Sequence, residues 1–182
     1  MSGLITACIL LSVALLAGGY AISTYNRLIS EQRLADSQWS RMNGILKQKS
    51  AAIPGLVEAA RDGNVREKLL LRSVTEALTR YLEAESPDDS VKAASELSTA
   101  MERFFAMTEH YPALRSSRRF ADLKTGYDKL ETRDGRRFFN ETVTRYNRLV
   151  ITFPSSVVAG FFRFEQRPLF RSAAGEDPVV RF

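Results

Sequence analysis

Cysteine, histidine and tryptophan occur once each in this chain, as Cys8, His110 and Trp39. A single cysteine excludes an intramolecular disulfide, so packing alone holds the fold, and cysteine usage does not report the redox compartment. One histidine and one cysteine, the latter inside an apolar run, leave no zinc site of the usual nitrogen and sulfur type. His110 stands just before Tyr111-Pro112, at an expected helix end, where histidine caps carbonyls or faces solvent rather than acting in catalysis. The only glycine pair, Gly18-Gly19, lies in the apolar N-terminal run, so there is neither a P-loop nor a dinucleotide fingerprint. No window alternates Val, Ile and Thr with period two, which removes the case for a sheet. No basic cluster comes with an RNA- or DNA-binding motif: 26 basic residues are mixed with 21 acidic ones along most of the chain, and the net +5 describes a solvated helical surface better than a nucleic-acid footprint. Glu83 with Glu85 and Asp88 with Asp89 are paired carboxylates, but they flank a loop without pocket-forming neighbours. The expectation is therefore no catalytic residue, no metal, no cofactor and no nucleic acid.

What is present begins with an uncharged stretch from Leu4 to Ile22. At about 1.5 Å per helical residue it crosses most of a hydrocarbon core roughly 30 Å thick, so a transmembrane helix over 4–22 is expected. Ala21-Ile22-Ser23 has the form of a cleavage site, but no Lys or Arg precedes the apolar run, which favours a retained anchor. Ile5-Thr6-Ala7-Cys8 ends like a lipoprotein signal and is rejected because almost no apolar region precedes it. Arg27, Arg33 and Arg41 follow the span, and the positive-inside rule puts the C-terminal part in the cytoplasm. Ala14 and Gly18 have the small-xxx-small spacing that lets two spans approach, a weak pointer to a homo-oligomer.

Beyond the span, Leu28, Ala35 and Met42 recur every seven residues, and Trp39, Leu46 and Ile53 do the same, making an a/d stripe of coiled-coil type. Pro54 is expected to kink or end that helix near Ile53, and Asp62-Gly63-Asn64 reads as a turn. A second stripe takes Leu71, Val74, Leu78 and Leu82, closed by Ser86-Pro87-Asp88-Asp89 with turn and N-cap chemistry. The third takes Ala94, Leu97, Met101, Phe104 and Thr108, up to the Tyr111-Pro112 break. A last long helix carries Phe120, Leu123, Tyr127 and Leu130, then Phe139, Val143, Tyr146, Val150 and Phe153, until Pro154 stops it. Gly126 and Gly135 weaken it by about 1 kcal/mol each relative to Ala, so tertiary packing must hold it. Asp134 falls on that stripe; it either pairs with Arg133, Arg136 or Arg137 or with an arginine on another helix or, as favoured here, reaches water. The fold expected is all-α, a transmembrane helix continuing into an elongated up-and-down helical bundle.

Several segments then point to a family. They are Tyr25-Asn26 after the span, Trp39 with Leu46, Ile53-Pro54 before Leu56-Val57-Glu58, and Tyr111-Pro112 with Leu114. The strongest is C-terminal: Arg136-Arg137-Phe138-Phe139-Asn140, Tyr146-Asn147, Phe153-Pro154, Val158-Ala159-Gly160-Phe161, Phe164-Glu165, Arg167-Pro168 and Phe170. In this order the chain resembles the LemA family over nearly its whole length. The resemblance implies a bacterial membrane protein with an elongated helical bundle, in a family without an established enzymatic activity; one branch is associated with magnetosome formation, which supports a membrane-organising role at most. The sequence departs from the family at Gln48-Lys49, where two basic residues are frequent, at Ala52, where an acid is, at Arg163, where glycine is usual, and at Leu169, where tyrosine is usual.

Four segments are thus expected: a short end over 1–3, the span over 4–22, the helical bundle over 23–160 and an aromatic and basic tail over 161–182. In that tail Phe161, Phe162, Phe164 and Phe170 interleave with Arg163, Arg167 and Arg171. The rings can bury on the bundle, the arrangement preferred here, or dock on the membrane surface while guanidinium groups reach phosphates. Arg163, Arg167, Arg171, Phe162 and Phe164 are therefore the candidate contacts for a protein partner or for lipid. Asn140 and Asn147 fall on one face, each placed to bond across the bundle or to a neighbouring loop. The expected role is a non-enzymatic scaffold or adaptor held at the bacterial inner membrane, with an unidentified protein partner. The alternative is an anionic-lipid-binding or membrane-organising protein acting through the Arg/Phe tail.

Overall fold

The uncharged run and the first heptad stripe belong to one uninterrupted helix, α1 (Ser2–Asp62), in the computed structural model, which describes residues 2–62, 68–130 and 132–171. Six more helices follow: α2 (Lys68–Glu83), α3 (Pro87–Thr108), the single turn α4 (Pro112–Arg115), α5 (Arg118–Lys129), α6 (Arg133–Ile151) and α7 (Ser155–Phe161). Among the described residues there is no strand, so the chain is all-α. It divides into two compact units, one of residues 1–35 with 141–167, the other of 36–140 with 168–182.

In the first unit, residues 3–20 of α1 are exposed along every face, so no protein surface covers their apolar side chains. The hydroxyls of Thr6 and Ser12 donate to the carbonyls of Gly3 and Cys8 in the same helix, leaving no unbonded polar group on these two side chains. Burial begins at Thr24 and Leu28. Leu28 packs with Tyr146 and Ala159, and Leu149, Val150 and Phe164 close the cluster. Arg145 reaches Glu31 at 3.4 Å, so α6 runs antiparallel to α1 within this unit.

The second unit is a helical bundle. Trp39, Met42, Leu46 and Ile53 of α1 are buried as the stripe requires. α2 and α3 form a hairpin whose turn is built by Ser86: its hydroxyl oxygen accepts the Asp89 N–H at 3.0 Å, and Pro87 occupies the first turn. All five positions of the third stripe are buried, with Phe104 against Phe120 of α5. α5 packs on α1, with Arg119 bonded to Glu58 and Asp62, the Leu123 side chain beside Gly55, and Lys49 over the Tyr127 ring at 4.5 Å.

Four expectations need correction. Pro54 neither ends nor interrupts α1, which continues to Asp62. An interior proline costs about 3 kcal/mol, but Ile53 and Leu56 beside it are wholly buried at about 1.5–3 kcal/mol each, and Pro54 itself faces solvent. In α2 the core position after Leu78 is Tyr81, three residues on, while Leu82 is exposed; the Tyr81 hydroxyl donates to the Asn43 side chain, which favours the aromatic there. The last long helix is in fact two, broken after Lys129. Thr132 stands directly before α6 and its carbonyl accepts the Arg136 N–H, while Asp134 sits exposed in the first turn, where the helix dipole favours an acid. Finally, Phe153 lies past the end of α6 and is 79% exposed rather than a core position. Of the expected turn at Asp62-Gly63-Asn64, Gly63 and Asn64 lie outside the described residues.

Candidate functional site

The candidate contacts lie on the chain that leaves α7. Helix α7 closes with the hydrogen-bond pattern of a Schellman motif: the Phe164 N–H bonds the Ala159 carbonyl at 2.9 Å and the Arg163 N–H bonds that of Gly160 at 3.3 Å. The motif needs a left-handed residue at its turn, and Arg163 supplies it with φ of 58°. Glycine is the usual occupant of such a position because it has no Cβ to clash, so the arginine holds the turn under strain of about 1 kcal/mol. The motif also brings Phe164 back onto Ala159, in the cluster with Leu28 and Tyr146.

From Phe164 the chain runs without regular structure to Arg171 as a strap held through its backbone by side chains. In the first unit the Tyr146 hydroxyl donates to the Glu165 carbonyl at 2.9 Å. Asn147 uses both ends of its amide on one residue, accepting the Arg167 N–H at 2.8 Å and donating to the Arg167 carbonyl at 2.9 Å. In the second unit Asn140 treats Phe170 in the same way, with both bonds at 2.8 Å. Ser95 of α3 accepts the Arg171 N–H at 3.0 Å, and Arg136 lies over the buried Phe170 ring at 5.9 Å.

The five candidate contacts are thus not equivalent. Phe162 is half-exposed and lies 4.7 Å from the Tyr25 ring, with Phe164 at 5.8 Å on the same tyrosine. Arg163 is exposed beside them, whereas Arg167 is half-buried where Asn147 grips its backbone. Arg171 is exposed and belongs to the second unit. There it borders an open groove of about 730 Å³ between the α2–α3 hairpin and the strap. Arg80, Lys92 and Arg103 also line that groove, against one acid, Glu96, which pairs with Arg80 at 3.0 Å. Such a lining suits an anionic group.

Of the two bonding modes expected for Asn140 and Asn147, across the bundle or to a neighbouring loop, the second is found; sequence reasoning reached Tyr25 only as a family segment and missed Ser95. Their signal was faint: an Asn-to-Asn heptad opposite a tail rich in backbone that must be satisfied. His110 is exposed at the end of α3, where its N–H donates to the Met107 carbonyl. Among the described residues no group of three potential ligands is placed to hold a metal ion. Two phenols are perturbed: burial pushes Tyr81 up to about 12, and burial followed by the charges of Asp128 and Glu102 does the same to Tyr127 against the opposing pull of Arg136. Each is accounted for by packing, Tyr127 by Phe105 edge-on and Lys49 over its face.

The family model for LemA matches residues 38–182, most of the chain, including the clamping asparagines and the whole strap. No curated protein sequence matches the chain. With well over half of its length inside the matched span, the chain belongs to the LemA family.

Proposed function

We propose that this protein is a membrane-anchored, non-enzymatic scaffold or adaptor. The observation that carries the reading is the combination of a wholly uncovered apolar segment, residues 3–20 of α1, with a C-terminal strap whose backbone is fixed by Asn140, Asn147 and Tyr146. An exposed apolar helix of this length needs a bilayer, and a clamped backbone presents side chains in one arrangement, which is what recognition requires. The arginines after the span support the bacterial inner membrane with the helical units on its cytoplasmic side. The partner is then a protein with an anionic surface that meets the tail arginines Arg163, Arg167 and Arg171; no nucleic acid or cofactor enters the role. Pairing of two spans through Ala14 and Gly18 would make it a homo-oligomer.

The test is crosslinking and affinity capture of the full-length protein from native membranes, with and without Arg163→Glu, Arg167→Glu and Arg171→Glu. A specific protein that co-purifies with the wild type and is lost on charge reversal is expected. Loss of retained lipid in the variant, with no protein captured by either, would instead favour anionic-lipid binding through the tail. That second reading is favoured by one observation: Phe162, half-exposed, lies against Tyr25, three residues beyond the span.

A further inference from the structure

The first unit carries an apolar surface that neither the strap nor the core explains. Helix α7 buries Ser155, Val158 and Ala159 on its inner side, yet its outer side is also apolar. Val157 and Phe161 are 64% and 80% exposed and stand four residues apart, hence on one face. Phe153, in the turn before α7, is 79% exposed, and Ile151 and Phe162 are about half-exposed on either side. Contiguous patches of large apolar side chains on a protein surface mark a covering partner or a membrane.

Three observations within this unit say which. The first is register. Arg145 meets Glu31, and Tyr146, Leu149 and Val150, all C-terminal to it, pack in the cluster that holds Leu28, three residues before Glu31, so steps toward the C-terminus of α6 are steps toward the N-terminus of α1. The α6–α7 turn that carries Phe153 therefore lies on the side of Leu28 that faces the span. The second is the return of α7, which packs Ala159 on Leu28 and brings Phe162 to 4.7 Å from Tyr25. Tyr25 follows Ile22, the last residue of the expected span, by three residues, about 4.5 Å of rise, and the headgroup layer is roughly 5–7 Å deep on each side. The third is charge. Between Glu141 and Glu165 there is no acid, only Arg145, Arg148 and Arg163. On α1 the first charged residue after the span is Arg27. Arg27, Arg148 and Arg163 are exposed, so apolar side chains with a cationic surround sit where the span leaves the hydrocarbon.

From this geometry we infer that the α6–α7 turn and the outer face of α7 form a second membrane contact, a foot that lies in the headgroup layer of the same bilayer that α1 crosses. Phe153, Val157 and Phe161 enter the acyl boundary, and Arg148 meets lipid phosphates. The foot fixes how the first unit stands on the membrane, which a single span cannot do because it is free to rotate and tilt. This inference rests on the membrane-anchored reading of α1 and adds residues that the tail reading does not use.

The experiment places an environment-sensitive fluorophore on single cysteines in full-length Cys8→Ser protein, reconstituted in vesicles of phosphatidylethanolamine and phosphatidylglycerol containing spin-labelled lipid. The sites are Phe153→Cys, Val157→Cys and Phe161→Cys, with Leu11→Cys in the span and Leu34→Cys about 18 Å beyond it as references. Quenching at positions 153, 157 and 161 several-fold above that at 34, strongest with the label near the headgroup, is expected. Quenching at 11 with the three foot positions no better quenched than 34 would overturn the foot and leave the anchor standing. No quenching at 11 would remove the anchor and the foot together. A blue-shifted but unquenched fluorophore at 157 and 161 would mean that protein covers the patch, and would overturn the inference as well.

Discussion

Asn140 and Asn147 make the same two-bond grip on the strap backbone, but in different surroundings. Asn140 is 8% exposed and holds Phe170, itself 3% exposed, whereas Asn147 and Arg167 are both half-buried. A hydrogen bond that water can replace contributes little when lost, while one that leaves a buried N–H and C=O without partners costs the desolvation of both. The grip on Phe170 is therefore the strap's fixing point, and the grip on Arg167 sets its path while leaving room for recognition.

Substitutions can break this contrast in order of size. Phe170→Ala removes a buried ring and is expected to cost about 3–5 kcal/mol in urea unfolding, against less than about 1 kcal/mol for Arg167→Ala. Equal costs would mean that the two ends of the strap are equally exposed. Asn140→Ala should cost about 2–4 kcal/mol and Asn147→Ala about 1 kcal/mol, with hydrogen exchange of the Phe170 amide accelerated far more by the first than that of the Arg167 amide by the second. Arg163→Gly should act the other way, raising stability by about 0.5–1 kcal/mol by relieving the left-handed arginine while the rest of the strap stays in place. A loss on that substitution would show that the Arg163 side chain contributes more than its backbone costs.

The alkaline limb of stability gives a smaller effect, outside the strap. Tyr81 and Tyr127 titrate near 12 in the folded protein against 10.0 for an ordinary phenol. Between those values the unfolded chain releases protons that the folded one keeps, so stability falls as pH rises from 10 to 12. Tyr127→Phe should flatten that fall in a thermal-unfolding series across this range. An unchanged slope would place the titration elsewhere.

Much of this was legible in the sequence for a physical reason: apolar spacing reports burial directly. The positions Leu28, Trp39, Met42, Leu97, Met101, Phe104, Phe139 and Val143 are core residues as their periodicity requires. Ser86-Pro87 marked the start of α3, and belonging to the LemA family could be read from the ordered C-terminal segments. The errors arose where a local rule met a tertiary force. Of the two outcomes expected at Pro54, a kink or an end, the end does not occur, because packing of Ile53 and Leu56 outweighs the backbone cost. The break at Leu130 was hidden because the apolar spacing carries on across it, while the signal for a new helix, Thr132 with Asp134, was read as a stripe position out of place. The apolar spacing puts Phe153 in the core, because an apolar side chain usually belongs there, but α6 ends before it and leaves it exposed. The strap is the part periodicity cannot report, since its contacts run from side-chain amides to backbone and leave no spacing pattern in its own residues.

The most direct measurement for the scaffold reading is photocrosslinking in native membranes from a photoreactive side chain at Gln166, exposed on the strap, which leaves all three arginines in place. It is made with Asn140 and Asn147 intact and again with both changed to alanine. A protein adduct of defined mass in the first case, lost or scattered over many masses in the second, is expected if a clamped strap presents the recognition surface. An adduct of the same mass and yield with the clamps removed, or adducts to lipid alone, would contradict it.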